Sequence, residues 1–138
     1  MIYTNHRDAY RQTFLVIWQK HQKKLALEPM EAQLLAIILS HPEYHTLLDG
    51  PESAYHQEFA LEENPFFHMS LHLAIQEQIQ NNRPFGIQPL HQQLIDKCAD
   101  THAVEHQMME CLAKTLWTAQ QKGTMPDEQD YLEKLKAI

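Results

Sequence analysis

Six of the chain's ten histidines fall into three pairs with one spacing: His41/His45, His68/His72 and His102/His106. Residues four apart lie one above the other on a helix face, so both imidazoles can reach one metal ion or two adjacent ones. Ten histidines scattered at random over 138 residues would give on the order of 0.7 such pairs. Three disjoint pairs therefore carry information. Carboxylates continue two of the lines, Asp49 four residues after His45 and Glu110 four after His106. Neutral imidazole suits zinc, iron, copper and nickel, and facing helices in bundles hold metals through such residues. Six imidazoles and two carboxylates exceed the needs of one tetrahedral zinc and suit a two-metal site. The expected cofactor is a divalent metal ion, iron or zinc, with His41, His45, His68, His72, His102, His106, Asp49 and Glu110 as its candidate ligands.

Those residues need helices to present them, and the chain reads as helical throughout. A first helix is expected from about Asn5, its N-cap, to Lys24, with Phe14, Ile17 and Trp18 in its apolar stripe. A second opens at Pro29 and carries Leu34, Ile37 and Ile38, a line that continues into His41, His45 and Leu48. Pro42 interrupts it: the ring removes a donor and disfavours helical geometry at His41, so the helix kinks there or restarts. Residues 51–63 read as a connection with one helical turn around Ser53 to Phe59. Asn64 and Pro65 form a strong start signal for a third helix, whose inward stripe is His68, Leu71, His72, Ile75 and Ile79. A fourth helix is expected over about Pro89 to Ala99. The fifth runs from about Thr101 to Lys122, with His102, His106, Met109, Ala113 and Leu116 on its inner face and Gly123 as terminator, and a short last helix follows Asp127. The fold class expected is all-α, a single-domain helical bundle of four or five main helices and a short C-terminal one.

Chain direction brings the pairs together. Short connections make consecutive helices antiparallel, so the end of the second helix, the start of the third and the start of the fifth share one end of the bundle. His6, Tyr10 and His56 are expected at that end, whereas His21 and His91 fall at the other. The sequence offers two chemistries for such a centre, metal-activated water or the handling of dioxygen or peroxide, and does not choose between them. The competing reading is a non-enzymatic interaction module whose histidines are structural or pH-responsive.

Composition narrows the partners. A net charge of -7 argues against nucleic acid, which recruits clustered Lys and Arg. Cys98 and Cys111 sit in helical patterns, as reduced space-filling residues of a cytoplasmic protein do. No apolar run is long enough to span a bilayer and no leader precedes the first helix, so no membrane partner is expected. A small molecule, dioxygen or peroxide remains as the expected partner, and the oligomeric state is open.

Three segments also carry a resemblance: His-Pro-Glu-Tyr-His at 41–45, Asn-Pro-Phe-Phe-His-Met-Ser-Leu-His-Leu-Ala-Ile at 64–75, and His-x3-His-x2-Met-Glu-Cys-Leu at 102–112, with Trp117–Gln120 and Pro126–Leu132 adding to it. On these the chain resembles a bacterial family of short uncharacterised proteins known as a domain of unknown function, over nearly its full length. That family carries no established activity, so the resemblance implies no catalytic residue. Hemerythrin-like bundles are a looser likeness, similar in holding two irons with histidines and carboxylates but different in motif order.

Overall fold

A computed structural model describes residues 7–51, 58–60 and 63–138. The expected N-cap at Asn5, most of the turn expected around Ser53 to Phe59, and His6 and His56 lie outside the described residues. Seven α-helices and one 3-10 turn make up the described chain, and no strand occurs among its residues, so the chain is all-α. The helices are α1 (Arg7–Gln22), α2 (Pro29–Leu39), α3 (His45–Asp49), α4 (Pro65–Asn81), α5 (Ile87–Cys98), α6 (Thr101–Lys122) and α7 (Glu128–Lys136). By its contacts the chain divides after Leu73 into two compact units.

In the first unit, α1 and α2 close over the beginning of α4. Phe14, Ile17 and Trp18 from α1, Leu34, Leu35, Ile37 and Ile38 from α2, Leu48 from α3, and Phe66, Met69 and Leu73 from α4 form one buried cluster. The α1 and α2 residues follow the expected stripes with Leu35 added, whereas α4 contributes Phe66, Met69 and Leu73 instead of its expected line through His68 and Leu71. Burying such side chains stabilises the unit by roughly 1.5–3 kcal/mol each before the ordering entropy is set against it. Capping fixes the register of α2: the Glu31 carboxylate, three residues into the helix, accepts from the Glu28 backbone amide at 2.9 Å and from Lys20 Nζ at 2.8 Å. That cation holds the Glu31 carboxyl below its ordinary value, with the Glu28 amide acting in the same direction.

Pro42 settles its own ambiguity. The helix does not bend through it: α2 stops at Leu39, His41 takes φ -124° and ψ 66°, and Pro42–Tyr44 forms a 3-10 turn that leads into α3. This adds the extra short helix to the expected set. It also means that His41 and His45 do not stand four apart on one continuous helix.

In the second unit, α5, α6 and α7 pack on one another with the end of α4. The α6 helix runs over the expected residues because Asp100 caps it, its Oδ1 accepting from the Ala103 amide at 3.1 Å, and because Gly123 adopts φ 66° at its end, a left-handed conformation that costs glycine least. Its buried face is Val104, Met108, Met109, Leu112, Thr115 and Ala119. The expected inner line through His102, His106 and Ala113 is corrected: His102 and His106 are exposed, and of that line only Met109 is fully buried.

Candidate metal centre

The start of α4 is fixed by its first residues. Asn64 Oδ1 accepts from the amides of Phe66 and Phe67 at 3.0 and 3.2 Å, Pro65 supplies a residue with no amide to satisfy, and Ser70 Oγ donates to the Phe66 carbonyl. Phe66 and Met69, both fully buried, anchor this turn in the first unit. His68 and His72 then project one turn apart. Their ring centres are 4.9 Å apart, and Nε2 of one lies 3.2 Å from Nε2 of the other. Two imidazoles sharing a tetrahedral ion at about 2.05 Å would place their nitrogens about 3.3 Å apart. His72 is buried and His68 half-buried.

His41 reaches the same place from α2. Its ring packs edge-on against His72 at 4.7 Å and against His68 at 5.1 Å. Its Nδ1 lies 2.8 Å from the Ile37 carbonyl, which can only accept, so Nδ1 carries the proton. In the neutral ring the buried Nε2 is therefore the basic nitrogen. A ring whose second nitrogen donates to a backbone carbonyl is how proteins orient a histidine that ligates metal. Tyr44, which no spacing rule selects, lies flat against His41 at 5.4 Å and edge-on to His68 at 6.2 Å. Burial, and then the charge of Glu43, hold its phenol above the ordinary tyrosine value.

His45 and Asp49 are engaged with Trp18. The His45 ring packs at a tilt against the indole, 4.7 Å between centres, and its Nε2 donates to the Ile38 carbonyl at 2.8 Å. Asp49 Oδ1 accepts from Trp18 Nε1 at 2.8 Å and from Gln22 Nε2 at 2.6 Å. His21 lies on the same indole at 5.5 Å. The carboxylate thus serves to hold a buried tryptophan. Changing Asp49 to Ala should cost about 1–2 kcal/mol in a urea melt by leaving the indole donor unmet, while metal content stays at the wild-type level. Loss of metal in that variant would instead return Asp49 to the ligand set.

In the second unit, the His102 and His106 rings lie 4.2 Å apart on the exposed flank of the first turns of α6. Glu110 is exposed and points to Lys114 at 3.4 Å. Spacing in fours passes over a different carboxylate, Glu105. It is half-buried between the two histidines in sequence, and its Oε1 accepts from Gln76 Nε2 of α4 at 3.1 Å. Its charge also reaches His91 on α5, whose pKa burial lowers and Glu105 partly restores. A sequence signal for Glu105 exists in the order His-x-x-Glu-His at 102–106.

The family model described as Domain of unknown function (DUF1841) matches residues 6–137. No curated protein and no solved structure matches the chain.

Proposed function

Since the chain belongs to the family of that domain of unknown function, its chemistry has to come from its own side chains, and we propose that it binds divalent metal ions, iron or zinc, through His41, His68 and His72 in the first unit and through His102 and His106 in the second. The observation that carries this reading is the packing of two imidazoles, His41 and His68, against His72, with the His41 proton fixed on Nδ1 by a carbonyl. Protonating more than one of three rings about 5 Å apart would set like charges against each other in a buried place, whereas one cation engages several basic nitrogens at once. All these ligands are neutral, so the ion would keep its full charge and act as a strong Lewis acid. The exposure of His102 and His106 supports an ion at that pair open to solvent on one side, as a reactive metal needs and a purely structural one does not.

A second reading has an observation of its own. The 3.2 Å separation of His68 and His72 also fits a hydrogen bond from one Nε2–H to the other Nε2, the arrangement expected of structural histidines in an interaction module. Elemental analysis of untagged protein purified without chelator separates the two. About one or two equivalents of iron or zinc, falling when His68 and His72 are both replaced by Ala and reaching background when His106 is replaced as well, supports the metal reading. Background metal in the wild type, with no uptake from added Zn2+ or Fe2+, supports the second. No helix among the described residues is long and apolar enough to cross a membrane. The free thiols of Cys98 and Cys111 fit our proposal that the protein works in the cytoplasm, and its net charge of -7 fits a role away from nucleic acid.

A further inference from the structure

The α6 helix carries more than two ligands. His102, Glu105 and His106 lie within about 100° of arc on one face, since residues three and four apart on a helix are neighbours. Two histidines with a glutamate just before the second, on one helix, form an order that in a class of metallopeptidases binds zinc through the imidazoles and uses the carboxylate on the zinc-bound water. Here the carboxylate is also positioned. Glu105 is half-buried, unlike Glu110, and the Gln76 amide holds its Oε1 at 3.1 Å from the neighbouring α4. A surface carboxylate with only solvation to do has no need of an amide clamp from another helix.

We infer that Glu105 is the general base of a hydrolytic metal site, an inference that rests on the metal-binding reading and chooses metal-activated water over dioxygen chemistry. His102 and His106 hold the ion, and the ion binds a water. Glu105 takes a proton from that water as its oxygen forms a bond to an acyl carbon, and the carbonyl electron pair moves onto the carbonyl oxygen beside the ion. When the tetrahedral species collapses, the bond to the alcohol or amine breaks and the proton passes from Glu105 to that leaving group, so that ester or amide plus water becomes acid plus alcohol or amine. No oxidant or reductant enters. The acidic chain, at -7, disfavours polyanionic substrates and points to uncharged acyl compounds.

The test uses the full chain loaded with Zn2+ and p-nitrophenyl acetate as probe, beside Glu105→Gln, Glu105→Asp and His106→Ala. Glutamine keeps an oxygen for the Gln76 amide but cannot take the proton. Glu105→Gln should therefore bind zinc as the wild type does, melt at the same temperature, and hydrolyse the ester about a hundredfold or more slowly, with Glu105→Asp recovering part of the rate. His106→Ala should lose the zinc of this pair and the activity together. If Glu105→Gln loses zinc, the carboxylate holds the ion or its ligands and the base role is overturned. If it hydrolyses like the wild type, or if zinc-loaded wild type is no faster than free Zn2+, the hydrolytic assignment falls while the metal reading stands. A wild type that takes up no zinc overturns both.

Discussion

Replacing His72 with Ala should abolish metal binding by the first unit and remove that unit's share of the chelator-sensitive thermal stability. At a free metal concentration a hundred times the dissociation constant, an ion bound only by the folded state adds about 2.7 kcal/mol. For a chain of this size that corresponds to roughly 10 °C in melting temperature. Wild-type protein should lose at least that much when a chelator is added, and the variant should lose less by about that amount. The comparison isolates the ion, because the void left by truncating a buried ring lowers both variant curves alike. The central place of His72 decides the choice of residue: it touches both His41 and His68. An unchanged chelator effect in the variant would remove His72 from the centre.

The largest purely structural effect is expected at Phe66. Its ring is fully buried, meets Phe14 edge-on at 5.5 Å, and lies 5.0 Å from the buried Arg11 guanidinium. Truncation to Ala removes the transfer energy of the ring and the aromatic contacts and opens a cavity, and such changes cost about 3–5 kcal/mol. Phe66→Leu, which keeps most of the volume, should cost less than half as much in the same guanidinium titration. Two residues later in the chain comes His68, so Phe66→Ala should bind metal more weakly in proportion to its unfolded fraction. A loss below about 1.5 kcal/mol would show that the core refills the space.

How far the sequence revealed these features depended on how local their causes were. Asn64 with Pro65, and Gly123, act through backbone geometry within a few residues, so the start of α4 and the end of α6 were legible. The convergence of His68 and His72 followed from helix periodicity alone. The face of α6 was not legible, because apolar residues occupy two of its sides. Ala113 and Leu116 extend one line from His102 and His106, while Val104, Met108 and Leu112 extend another, and only packing against α5 and α7 selects the second. The surroundings of Asp49 were hidden for a similar reason. Its spacing from His45 suggested a shared ligand, but its partner is an indole 31 residues earlier, a contact that no local pattern encodes. Glu105 was in view within its motif, yet its burial and its clamp from Gln76 depend on a neighbouring helix.

The break at Pro42 has an electrical consequence. A helix that ran on would spend its last carbonyls on its own amides; here the Ile37 and Ile38 carbonyls also accept from the imidazoles of His41 and His45. The C-terminal end of α2 carries roughly half a negative charge from its aligned peptide dipoles, and His41 sits directly on it. The ring therefore draws electron density from the helix through Nδ1–H and offers it at Nε2, so that an uncharged side chain behaves partly as an anionic ligand. By ending α2 where it does, a single proline turns eleven residues of helix into part of the field around the proposed ion.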